Sequence, residues 1–141
     1  MTSENKIELH IPSIMGYEKV AMECAASAAK RMGFSPDRIE DLKTAVAEAC
    51  INAIEHGNNL DTTTKVGVML TIQDATLEVA VSDQGKGVGE VELPNLDDKI
   101  EGVEPARGWG MFLIRSLMNE VTLASLPEGG SVVRMVIHLE Q

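Results

Sequence analysis

Residues 48–57, "EACINAIEHG", place Glu48, Asn52 and His56 at intervals of four inside a segment that otherwise reads as buried helix. The segment closes "FSPDRIEDLKTAVAEACINAIEHGN", where Ser35 suits an N-cap, Pro36 the first helical position, Asp37 the first turn and Gly57 the end. The apolar stripe of this helix is centred on Leu42, Val46, Ala49 and Ala53, with Ala45 and Cys50 at its edges. Glu48, Asn52 and His56 begin outside that stripe and drift toward it by about 40° per four-residue step. They are expected to line the edge of the core, with His56 pointing closest to it. A solvated flank is the ordinary explanation for such residues. However, no Lys or Arg stands three or four positions away, and half-buried polar groups need partners. The set therefore also reads as a site awaiting a ligand. An amide oxygen suits Mg²⁺, which keeps several waters and takes its remaining ligands from one or two protein oxygens and from phosphate. A carboxylate one turn away can accept the proton of an attacking hydroxyl.

Strands and helices follow on either side. "KIELHIP" alternates Ile7, Leu9 and Ile11 inward, the period of a half-buried strand. Helix-forming residues run from about Gly16 to Met32 and stop at Gly33, a natural C-terminal cap. "KVGVMLTIQ" and "TLEVAVSD" alternate around a short "DA" turn, as antiparallel neighbours do. Periodicity then vanishes from Gly85 to Arg107, a long functional or disordered loop by its length. "GMFLIRSLMNE" restores a helical face, and "VTLASL", "PEGG" and "SVVRMVIHLE" close the chain as a hairpin. The order β, α, α, β, β, loop, α, β, β predicts an α+β fold: a two-layer sandwich of a mostly antiparallel five-stranded sheet with three helices on one face. The whole of 1–141 is expected to be one domain, and the lack of βαβα alternation argues against a Rossmann-type fold.

Composition narrows the function. A formal net charge of −10, from 22 Asp and Glu against 12 Lys and Arg, repels polyanions, so no direct nucleic-acid partner is expected. Cys24 and Cys50 lie among small apolar residues and are expected to be buried free thiols. With no signal-like N-terminus and no membrane-length apolar run, a cytoplasmic setting without membrane attachment is the default expectation.

Two glycine pairs add chemistry. "SDQGKGVG" sets Asp83 at a strand end with Gly85 and Gly87 in the reversal; Asp83 can accept a hydrogen bond from an exocyclic amine, although the same pattern serves ordinary turns. "ARGWGMFLI" places Gly108 and Gly110 just before the expected helix, where free N–H groups bind anions, and Arg107 adds a phosphate donor. An incidental loop-to-helix junction is the plainer alternative. In chain order these pieces supply a base and metal ligand, a base-recognition turn, a loop and a phosphate cradle.

With those motifs in place, the chain resembles the ATPase superfamily shared by gyrase-type topoisomerases and histidine-kinase catalytic domains, and within it the bacterial anti-sigma-factor serine kinases. "EACINAIEHG" is similar to the family's asparagine box, "DQGKG" to its first glycine box and "GWGMFLI" to its second. The resemblance covers nearly the whole chain and implies a Bergerat-type ATP-binding fold. It also implies Glu48 as general base, Asn52 as Mg²⁺ ligand and Asp83 as the adenine-reading carboxylate. Gly85 and Gly87 would support the adenine pocket, Gly108 and Gly110 would cradle phosphates, and an ATP lid would span about 88–107. Arg107, Trp109 and Met111 complete the ATP-binding set. The implied activity is phosphorylation of a serine on a small antagonist protein by ATP with Mg²⁺. The implied partners are that antagonist and a sigma factor, on a homodimer. Two departures stand out. Arg107 directly precedes Gly108, whereas the family often carries its lid arginine two residues before the box. The lid also has Glu90, Glu92, Asp97, Asp98, Glu101 and Glu104 against Lys99 alone. A nucleotide-gated binding module with little or no phosphoryl transfer is therefore the second reading, and a nucleotide-free interaction domain the third. His10, His56 and His138 are poorly placed as phosphoacceptors, and the chain is too short to hold a histidine kinase's phosphoacceptor bundle.

Overall fold

Strand alternation and helix punctuation translate into the order β1 (Asn5–Pro12), α1 (Glu18–Met32), α2 (Pro36–Asn52), β2 (Lys65–Gln73), β3 (Thr76–Ser82), α3 (Pro105–Leu117), β4 (Glu120–Ser125) and β5 (Ser131–His138). The computed structural model describes residues 5–85 and 105–140. Its sheet runs β1-β2-β3-β5-β4 with every neighbouring pair antiparallel, so the expected α+β architecture holds and the sheet is antiparallel throughout.

The local signals act as their chemistry requires. Ser35 Oγ accepts the Arg38 N–H at 3.3 Å, and Pro36 opens α2 where its missing N–H costs nothing. Gly33 takes φ 99° and its N–H reaches the carbonyls of Ala29 and Lys30, ending α1 in the left-handed conformation that glycine adopts without a Cβ clash. Gln73 pairs with Thr76 across a two-residue turn, which sets the β2–β3 register.

One face of the sheet carries Ile11, Val66, Val68, Leu70, Leu77, Val79, Val81, Met135 and Ile137, all buried, against Ala21, Ala25, Ala29, Leu42, Val46, Ala49 and Ile114 of the helices. Each large side chain buried here stabilises the fold by about 1.5–3 kcal/mol. Alanines on the buried side of α1 let it lie close to its neighbours. Burial along β1 is graded: Ile7 is 39% exposed, whereas Ile11 is 2% exposed. The inward alternation predicted for Ile7 and Leu9 is thus only partly realised, because β1 is an edge strand that extends past its helical cover.

Arg38 fixes the third helix. Its Nη1 donates to Asp41 at 2.9 Å and to the Leu117 carbonyl at 3.0 Å, while Nη2 donates to Asn119 Oδ1 at 3.0 Å. A cation thus satisfies a carbonyl at the C-terminal end of α3, where the helix dipole favours it. The far end of α3 is thereby laid along α2 toward Glu48 and Asn52.

Candidate functional site

The C-terminal half of α2 delivers the first pair of side chains. Glu48 is half-buried, and Asn52, one turn on, is 8% exposed. Gly110 of α3 lies directly over both: a Cβ there would stand 3.0 Å from Glu48 Oε2 and 3.2 Å from Asn52 Nδ2. A side chain at this position would need Glu48 and Asn52 to give by a few tenths of an ångström. Asn52 Nδ2 is buried and has no hydrogen-bond partner among the described residues. Leaving such a donor unmade costs about 1–3 kcal/mol, which marks the amide as a group kept for something other than stability.

The predicted drift of the polar line toward the core holds from Glu48 to Asn52 and fails at His56, which is half-buried rather than deepest. The α-helix gives way to a π turn over Ala53–Gly57, closed by Asn58 N–H to the Ala53 carbonyl at 2.8 Å. A turn closed by i→i+5 bonds advances more residues per revolution, so a spacing of four no longer keeps His56 in line. It brings Gly57 against the end of β3 instead.

Asp83, just past β3, is 8% exposed and hydrogen-bonded through both oxygens. Its Oδ1 accepts the N–H groups of Gly85 at 2.9 Å and Ser131 at 3.2 Å, and its Oδ2 accepts the Ser131 hydroxyl at 3.0 Å. Gly57, Gly85 and Gly130 form a collar around this turn: a Cβ on Gly57 would collide with the Asp83 carboxylate, one on Gly85 with the Gly57 carbonyl, and one on Gly130 with the Asp83 carbonyl. Sequence reasoning found Asp83 and Gly85 and missed Ser131, at the start of β5, and Gly130, in the turn just before it. It read Gly57 only as a helix terminator.

Between the two clusters lies a cleft lined by Ala49, Asn52, Ala53, Val81, Asp83, Met111, Leu123, Ser131 and Val133. Its volume of about 10 Å³ admits no more than a single water molecule. Met111, 3% exposed, helps to close it.

The second glycine pair sits differently from its expected place. α3 begins at Pro105, a residue suited to the first helical position, so Gly108 and Gly110 lie within the helix rather than before it. The N–H groups left free at a helix start belong to residues ahead of Gly108. Trp109 is 54% exposed and packs edge-to-face on Phe112, with centroids 5.7 Å apart and planes at 87°. Of the expected lid, Pro105 to Arg107 form the first turn of α3; residues 86–104, including Gly87, lie outside the described residues. No group of three His, Cys, Asp or Glu able to hold a metal occurs among the described residues. No described helix is long and apolar enough to cross a membrane. Cys50 is buried and Cys24 half-buried, both as free thiols.

Residues 13–137 match the histidine kinase-like ATPase domain family. The chain is 34% identical to the serine-protein kinase RsbW of Bacillus velezensis, over 98% of this chain and 88% of the relative. It is 31% identical to the RsbW of Oceanobacillus iheyensis, over 87% and 81% of the two chains, and 36% identical to that of Bacillus licheniformis, over 82% and 75%. The crystal structure of the RsbU and RsbW domains of a Mycobacterium tuberculosis protein superposes with a TM-score of 0.70 at 16% identity, covering 97% of this chain and 33% of that one. That likeness concerns the fold.

Proposed function

The chain belongs to the histidine kinase-like ATPase domain family, and from that premise we propose that it is an ATP-dependent serine protein kinase and anti-sigma factor. It transfers the γ-phosphoryl group of ATP to a serine of a small antagonist protein, and in a partner-switched state it holds a sigma factor. The observation that carries the site assignment is the juxtaposition of Glu48 and the unpartnered Asn52 amide beneath Gly110, beside a cleft that ends on Asp83.

In this reading Asp83 receives the exocyclic amine of adenine on its Oδ2, oriented for that contact by Ser131 and Gly85. Asn52 Oδ1 is the atom that could ligate Mg²⁺, leaving the unpartnered Nδ2 donor for a phosphate oxygen, and among the described residues no group of three His, Cys, Asp or Glu offers another metal site. Asn52 would hold that ion, which neutralises phosphate charge when bound. Glu48 accepts the serine hydroxyl proton as the oxygen attacks. Phosphates meet the start of α3, with Arg107 as the charged donor, while Gly110 allows the helix to close over Glu48 and Asn52. Gly87 and Trp109 keep the ATP-binding roles that the family resemblance implies, whereas Gly108, inside α3, leaves the free N–H groups to the residues ahead of it.

The same reading includes a homodimer and a cytoplasmic setting. Supporting the dimer, the edge strand β1 and α1 border a cleft of about 440 Å³ in which Ile7, Cys24, Ala28, Met32 and Ile72 are joined by Asn5, Ser27 and Arg31, a mainly apolar face with a polar rim for a second copy.

The test is incubation of the purified chain with γ-labelled ATP, Mg²⁺ and co-purified partner proteins. Label on a partner serine is expected, and Glu48→Gln should keep ATP binding while cutting transfer by about 10²–10⁴-fold. Partner binding without label would favour the nucleotide-gated binding module instead. Full transfer by Glu48→Gln would remove that residue from the chemistry.

A further inference from the structure

Asn58 follows the glycine that touches Asp83, is only 4% exposed, and spends its whole amide on three separate segments. Its Oδ1 accepts the Gln84 N–H at 2.7 Å. Its Nδ2 donates to Ser13 Oγ at 2.9 Å and to the Lys65 carbonyl at 3.1 Å. Gln84 answers across the same gap, its Oε1 accepting the Lys65 N–H at 2.8 Å. Ser13, 1% exposed, is in turn 2.9 Å from Thr64 Oγ1. The turn after β3 is therefore gripped on two sides: the Gly57 carbonyl lies against Gly85, and the Asn58 amide holds Gln84, the residue between Asp83 and Gly85.

From this geometry we infer that Asn58 is a positioning residue for base recognition: by anchoring the Gln84 N–H to the end of α2 and the start of β2, it sets where the Asp83 carboxylate meets the nucleotide base. The inference rests on the proposed reading of Asp83 as the adenine contact. The Asn58 side chain does not line the cleft, and its hydrogen bonds go to Ser13, Lys65 and Gln84 rather than to Asn52. Its loss should act on affinity and on the choice of base, without removing any group that contacts the base. A carboxylate can only accept, so it suits the amine of adenine and not the oxo group that guanine carries at that position. A turn free to shift by a few tenths of an ångström weakens that preference.

Calorimetric titration of the full chain with Mg-ATP and Mg-GTP separates this role from a general one in folding, because stoichiometry and Kd are read independently. Asn58→Ala is expected to bind at unchanged stoichiometry, with its Kd for ATP raised about tenfold and the ATP-over-GTP preference narrowed by a similar factor. Gln84→Ala, which releases the Lys65 N–H from the same grip while leaving the Asn58 amide in place, should fall between the wild type and Asn58→Ala and covers the case of an Asn58→Ala chain that does not fold. Lower thermal stability or stoichiometry with the ATP Kd and the base preference unchanged would overturn the inference, leaving Asn58 as a structural hub alone. So would a Gln84→Ala chain with the wild-type ATP Kd and base preference. Asp83→Asn, titrated in parallel, keeps the two claims apart. Wild-type ATP binding by that variant sinks the reading of Asp83. Loss of binding there, with Asn58→Ala unaffected, sinks only the role of Asn58.

Discussion

Gly57, the last residue of the π turn, packs so tightly on Asp83 that any Cβ placed there would overlap the carboxylate. The contact joins the end of α2 to the end of β3, and the clash is with a buried side chain already bonded to Ser131. Gly57→Ala is therefore expected to destabilise the fold by about 1–3 kcal/mol, the usual cost of overpacking. Because the strain falls on Asp83, ATP affinity should drop as well. Thermal unfolding and calorimetry check both, and a Gly57→Ala chain with native Tm and native affinity would show that the turn can yield freely.

Asn52→Ala separates stability from function. The substitution deletes a buried donor that has no partner among the described residues, so Tm is expected to hold or rise. Mg²⁺-dependent ATP binding should fall at least about tenfold, with the difference between titrations in Mg²⁺ and in chelator largely erased. A variant less stable than the wild type, yet equally responsive to Mg²⁺, would reverse the assignment.

The two cysteines differ in a way that alkylation can read. Burial, with the Glu18 carboxylate adding to it, pushes the Cys50 thiol up to about 12, and burial alone raises that of Cys24. At about pH 8 the native chain should be modified at Cys24 well before Cys50, and the unfolded chain at both. The stability contribution of Cys50 is fully present below its unfolded value of 9.0 and is lost as pH rises toward the folded value of about 12. Above pH 9 the unfolded chain releases its proton first, so urea midpoints should decline with pH more steeply in the wild type than in Cys50→Ala. Equal slopes would mean that Cys50 titrates alike in both states.

Much of this architecture can be read from local sequence because the deciding signals lie within a few residues. Ser35 and Pro36 open α2, Gly33 ends α1, and the Gln73–Thr76 turn sets a hairpin, each through contacts with its own neighbours. Glu48 and Asn52 are legible as polar residues at an apolar helix edge, and Asp83 as an acceptor at a strand end beside Gly85. What escaped depends on long-range contact. Nothing near Ser131 signals that its hydroxyl will reach Asp83 from 48 positions away. Nor does the wheel of an ideal α-helix foresee the π turn that takes His56 out of line. The start of α3 was misread because Gly108 and Gly110 are usual breakers, whereas here Pro105 opens the helix and Gly110 serves its packing on α2.

The π turn has an architectural meaning beyond the position of His56. It acts as a phase shifter: upstream, the α period aims Glu48 and Asn52 at one end of the cleft, and downstream the altered phase presents Gly57 and Asn58 to the other. A single continuous segment thereby sets the distance between the residues assigned to phosphate chemistry and those assigned to the base. Insertion or deletion of one residue between Ala53 and Gly57 should therefore decouple the two halves while leaving each locally intact.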